Sequence, residues 1–228
     1  EGLWNTLFVR PLAFIILNLS KIVGSIAISL VIITLILRGI LYPVTKKTAI
    51  QSEMMKKAQP ELTKLEKKYE NKTDPESMNK KGQEMLAIYK KYKINPMSGC
   101  IFAFLQLPIL LAFWEAIQRV PAIYEETFIG INMGITPWTA ITNGNWYYII
   151  IPALIVVTTY FSYKNNKQTQ DKDNAMANQM NMMMNFMTIF IGFMAFTLPT
   201  AIAFYWITSS LFTIVQNKLV NRSLKNGK

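Results

Sequence analysis

The chain has 228 residues, 51% of them hydrophobic, yet it carries a net charge of +11. It contains no histidine and one cysteine, Cys100, which excludes histidine acid–base catalysis, His/Cys metal sites and an intrachain disulfide framework. Apolar residues gather into long runs and charges into the segments between them, the organisation of an all-α, polytopic membrane protein.

Residues 1–21 read as an extracytoplasmic interfacial helix. The apolar stretch is interrupted at Arg10-Pro11, and Trp4, Phe8 and Phe14 suit the headgroup zone. Glu1 is not an expected native start, so a signal peptide removed ahead of it is the expectation. The first span is assigned to 22–42, whose only charge is Arg38. At about 1.5 Å per residue such a run crosses a hydrocarbon core of about 30 Å.

Residues 43–98 are expected to form a cytoplasmic helical hairpin. Met54, Met55, Ala58, Leu62, Leu65 and Tyr69 make one apolar stripe, and Met78, Met85, Ile88, Tyr89 and Tyr92 make another. Between them Asn71-Lys72-Thr73-Asp74-Pro75 reads as a turn, an N-cap and a proline at the first helical position. The hairpin is rich in lysine, but no aromatic interleaving or RNA-binding motif accompanies it, so no nucleic-acid site is assigned.

The second span, 99–118, contains Gln106-Leu107-Pro108, where Gln106 either lines a polar cavity or bonds a neighbouring helix. An extracytoplasmic loop, 119–145, carries Glu125 and Glu126, read with Glu115 as solvated charges. The third span, 146–163, holds Pro152 and Thr158-Thr159, and a cytoplasmic loop, 164–181, follows. Its methionine-rich end is either an adaptable apolar surface or ordinary filler. The fourth and fifth spans, 182–198 and 200–216, meet at Pro199 and look short at about 24–26 Å. A basic tail, 217–228, ends the chain. This arrangement puts 20 of the 24 Lys and Arg residues on one side, which the positive-inside rule makes cytoplasmic. Five spans then place the N-terminus outside and the C-terminus inside.

No nucleophile elbow, P-loop or pair of carboxylates lies in a span, so no enzyme, metal or cofactor is expected. Arg38 is the residue that needs explaining, because an ionisable group inside a membrane costs roughly 2.5–3.5 kcal/mol or more. It either snorkels to the interface or serves a polar interior, and Thr34 and Tyr42 lie one turn to either side of it. Thr158, Thr159, Asn185, Tyr205, Trp206, Thr208, Ser209 and Ser210 add scattered polar groups to the later spans.

Four separated motifs occur in order: Thr34 to Pro43, Met85 to Cys100 with its Asn95-Pro96, Gln106-Leu107-Pro108, and Phe204-Tyr205-Trp206. They resemble the YidC/Oxa1/Alb3 family of membrane protein insertases, in its shorter, Gram-positive type without a large periplasmic domain and often made as a lipoprotein precursor. The resemblance implies a five-helix core around a hydrophilic groove open to the cytoplasm and to lipid. Arg38 would supply the positive charge, Thr34 its neighbour and Trp206, beside Tyr205, an aromatic position. It also implies nascent membrane proteins as clients in the bacterial plasma membrane, with the lipid bilayer, the Sec translocon and the ribosome as partners. Two features depart from the family pattern: Trp206 replaces a second tyrosine, and the short tail weakens ribosome binding through it. A small anion transporter or channel using Arg38, and a passive assembly scaffold, remain alternatives; no internal repeat supports the former.

Overall fold

The computed structural model describes residues 2–95, 97–164 and 175–226; the side chains of 99–103, 175 and 176 lie outside that description, and with them the expectation for Cys100 and most of the loop 164–181. The described residues are almost entirely helical. A π-helical turn, Asn5–Val9, leads into α1 (Arg10–Val23). The helix thus runs through Arg10-Pro11, where the apolar sequence is interrupted, without a break. A π turn loosens the backbone just where the proline ring would press on the preceding turn, and Pro11 sits in the first turn of α1. Asn5–Val23 becomes one 19-residue helix long and apolar enough to cross a membrane.

α1 stops at Gly24, whose φ of 75° is the left-handed conformation that glycine adopts without strain. Ser25 then caps α2 (Ile26–Ile40), so the span assigned to 22–42 starts four residues later than expected. α2 and α3 (Tyr42–Tyr69) meet at 68°. Pro43 has no N–H to give to the preceding turn, and this permits the sharp bend. α3 and α4 (Pro75–Lys91) make the hairpin, with the Asp74 carboxylate accepting from the Ser77 amide at 2.8 Å. Its small core joins Ala58 and Leu62 to Tyr89 and Ile94.

α5 (Ser98–Arg119) keeps Pro108 inside it. The segment expected as a plain loop contains α6 (Pro121–Glu125), an antiparallel pair of strands β1 (Thr127–Phe128) and β2 (Ile131–Asn132), and α7 (Pro137–Thr142). Ile129 and Gly130, both at positive φ, make the two-residue turn that a twisted hairpin favours. A 3₁₀ turn, Trp146–Ile149, enters α8 (Ile150–Lys164). α9 (Ala175–Thr197) and α10 (Thr200–Asn226) have 23 and 27 residues, longer than the short spans expected. Hydropathy marks the apolar part of a helix, and Asn, Gln and Lys continue it beyond. α10 is the centre of the bundle. One core packs it with α1, α2 and α5 through Leu30, Phe113, Ile117 and Tyr205. A second core packs it with α8 and α9 through Ile151, Ile155, Ala195 and Ala203. Outward faces are apolar as well, as Phe186, Ile189 and Phe193 of α9 are each more than 60% exposed.

Candidate polar site

Arg38 lies in the last turn of α2, where a cation complements the helix dipole. Its side chain does not reach outward: the residue is 8% exposed and points at α10 and α5. Nε donates to Ser209 Oγ at 2.7 Å, Nη2 donates to the same hydroxyl, and Nη2 also donates to Gln106 Oε1 at 2.9 Å. These partners are neutral. The second end of Gln106 donates through Nε2 to the Tyr205 hydroxyl at 2.7 Å, and the Tyr205 ring stacks on Phe113 at 4.4 Å. Gln106 thus both lines a cavity and bonds its neighbour helix.

Trp206, one residue on, faces α8 and donates from Nε1 to Thr159 Oγ1 at 2.8 Å. Thr34 is the exception among the anticipated residues. It is fully buried, and its hydroxyl bonds the Leu30 carbonyl of its own helix at 2.6 Å. It does not join the polar cluster. Ser209, one of the scattered polar groups of the fifth span, is the one that meets Arg38, a pairing the sequence does not single out. The signal is its spacing, since Tyr205, Ser209, Thr213 and Gln216-Asn217 recur at three or four residues along one stripe of α10.

Arg38, Gln106, Thr159, Ser162, Trp206 and Ser209 enclose a polar pocket of about 20 Å³, room for about one water. The open groove implied by the resemblance is thus narrow at Arg38. Two ties of α10 further along the chain account for this: Thr45 donates to Gln216 Oε1 at 2.8 Å, and Asn217 donates to the Ser162 carbonyl at 3.3 Å. Gln106, Tyr163 and Trp206 also border an apolar groove of about 330 Å³ walled by Leu110, Ile155, Phe190 and Met194. A small polar pocket beside a cation and a larger apolar groove share one wall.

The bundle and this site define a helical membrane protein with a buried arginine at the junction of polar and apolar cavities. The family model described as 60Kd inner membrane protein matches residues 18–227, and the chain belongs to that family, as its resemblance to YidC/Oxa1/Alb3 proteins implies. Membrane protein insertase YidC 2 of Listeria innocua is 34% identical over 228 residues, 100% of this chain and 75% of that protein. Membrane protein insertase YidC of Oceanobacillus iheyensis is 32% identical over 232 residues, with 100% and 87% covered, and membrane protein insertase MisCA of Bacillus subtilis is 33% identical over 218, with 95% and 78% covered. Among solved structures, an active YidC insertase with its first transmembrane domain resolved superposes with a TM-score of 0.65 at 24% identity. That match covers 94% of this chain and 46% of the other, and shows the fold.

Proposed function

We propose that the chain is a bacterial cell-membrane insertase that passes the polar tail of a nascent membrane protein through the Arg38 pocket while the client's apolar helix leaves along the neighbouring groove. The observation that carries this is Arg38 itself, a cation buried in the bundle and hydrogen-bonded to Ser209 and Gln106 at the edge of an apolar groove. A cation in a low-dielectric pocket attracts an acidic tail strongly and lowers the cost of carrying it into the hydrocarbon. Burial of the client's helix, at about 25 cal/mol per Å², drives the step. A membrane potential adds about 2.3 kcal/mol per charge per 100 mV for an acidic tail moving outward. No nucleotide is needed.

In this reading α2, α5, α8, α9 and α10 are the five spans, the N-terminus is outside and the C-terminus inside. The lysine-rich hairpin, 43–98, faces the cytoplasm, where the ribosome and Sec translocon deliver clients. Arg38, Gln106, Tyr205 and Trp206 contact the client, with Thr34 supporting Arg38 by packing. The test is insertion in cells of a single-span client with an acidic tail. Arg38→Ala should reduce insertion at least tenfold, the equivalent of about 1.4 kcal/mol. Arg38→Lys should retain part of it, since it keeps the charge and loses the planar fork. Full insertion by the Ala variant would remove the charge from the mechanism. Anion flux in proteoliposomes that depends on Arg38 would instead favour a channel.

A further inference from the structure

The Arg38–Ser209 contact joins two helices, and one short segment holds the far ends of both. At the start of α2, the half-buried Glu126 carboxylate accepts from Ser25 Oγ at 2.7 Å, from the Ile26 amide at 2.7 and 2.9 Å, and from the Ala27 amide at 3.4 Å. Ile26 and Ala27 are buried, so without Glu126 these amides would be orphaned at the helix end. A negative charge there also suits the positive end of the helix dipole. At the start of α10, the same segment offers its backbone: the Ala201 amide donates to the Met133 carbonyl at 2.8 Å, and the Thr200 amide and hydroxyl donate to the Ile135 carbonyl at 3.0 and 2.7 Å. The Met133 amide in turn donates to the Glu126 carbonyl at 2.9 Å, and Met133 is fully buried. The two caps are therefore one body.

We infer that Glu126 is a positioning residue: the segment 126–135 fixes α2 against α10 along their axes, and so holds Arg38 opposite Ser209. Glu126 does not touch the site. From Ile26 to Arg38 is about 18 Å, and from Ala201 to Ser209 about 12 Å, at 1.5 Å per residue. A helix is stiff over that length, so a slip at its capped end arrives at the other end undiminished. A slip of one residue rise would separate the guanidinium from a hydroxyl that it meets within hydrogen-bond range. This inference rests on the insertase reading for its functional effect, but not for its geometry.

Two measurements test it. Spin labels at the lipid-facing positions 35 and 211, placed by Leu35→Cys and Leu211→Cys in a Cys100→Ser background, report the α2–α10 distance in nanodiscs; Leu35 and Leu211 are both exposed. Glu126→Gln, which keeps an acceptor, and Glu126→Ala should broaden that distance distribution progressively. An unchanged distribution in both variants overturns the proposal, whatever the chain does to clients. The second measurement compares an acidic-tailed with a neutral-tailed client. Glu126→Gln should lower insertion of the acidic one by about fivefold, the scale of a lost helix cap, with the neutral one little affected. In an Arg38→Ala background it should cause no further loss. Equal losses for both clients, or a further loss without Arg38, would make Glu126 a stability residue only. If Arg38→Ala alone inserts the acidic client normally, the charge-attraction mechanism fails, while the distance measurement still decides the role of Glu126.

Discussion

The helical bundle and the α3/α4 hairpin are built from the same secondary structure and held together by opposite means. In the bundle the ties between helices are buried or half-buried hydrogen bonds to uncharged acceptors: Arg38 to Ser209 and Gln106, Gln106 to Tyr205, Trp206 to Thr159, Thr45 to Gln216. In the hairpin they are half-exposed ion pairs, Lys68 with Glu84 at 2.6 Å and Lys91 with Glu61 at 2.5 Å, over a core of four buried residues. Tyr69 and Tyr92 add a hydroxyl bond to each carboxylate. Exposed ion pairs weaken as salt rises and the screening length shortens from about 10 Å at 0.1 M, whereas buried pairs are screened much less. The site should thus respond less to salt than the hairpin does.

The sharpest way to break this contrast is to remove the hairpin's core. Leu62→Ala should cost about 2–5 kcal/mol of local stability, because a buried leucine leaves a cavity that its neighbours fill only in part. Hydrogen exchange should speed up in α3 and α4 and stay unchanged in α2 and α10. Faster exchange around Arg38 would show that the two regions fold as one. Next in size is Ser209→Ala. It takes the acceptor from two N–H groups of a buried guanidinium and should cost about 1–3 kcal/mol. Unfolding in nanodiscs should show the same loss at low and high salt, and a loss that shrinks in salt would mean that Arg38 is solvated.

The same contrast decides what was legible in the sequence. The hairpin is a local object. Helical spacing of Ala58, Leu62 and Tyr89 and the Asp74-Pro75 cap are properties of neighbouring residues, and the structure keeps both. The all-α class follows equally from the apolar runs. The site is not local, since Arg38 and Ser209 are 171 residues apart and only the packing of α2 on α10 brings them together. The helix ends at Gly24 and beyond residue 216 do not coincide with the ends of the apolar runs, because hydropathy tracks burial in lipid and not backbone geometry. Glu126 reads as solvated charge in a loop. Its three donors, on Ser25, Ile26 and Ala27, lie about a hundred residues earlier, and no spacing rule connects them.

The smallest expected effect is also the most specific to the hairpin. The hydrogen bond from Lys68, then that from Tyr69, lowers the pKa of Glu84 below 4.5, and Lys91, then Tyr92, does the same for Glu61. A carboxylate with a depressed folded pKa stabilises fully above its unfolded value and loses that contribution as pH falls through the folded one. The bond to Glu84 raises Lys68 above 10.5, and the bond to Glu61 raises Lys91 likewise. An amine so raised stabilises fully below its unfolded value and loses that contribution as pH rises through the folded one. The clamps should therefore be intact from about pH 5 to about pH 10 and loosen on both sides. Exchange at the α3/α4 turn, corrected for the intrinsic rate, should be flat across that window and rise below it. Glu84→Gln should remove part of the acid limb while leaving Arg38-dependent insertion near neutral pH unaltered. An acid limb that survives both Glu84→Gln and Glu61→Gln would assign the pH response to other groups, with the Asp74 cap the first to examine, since its bonds to Ser77 also hold it below the ordinary carboxylate value.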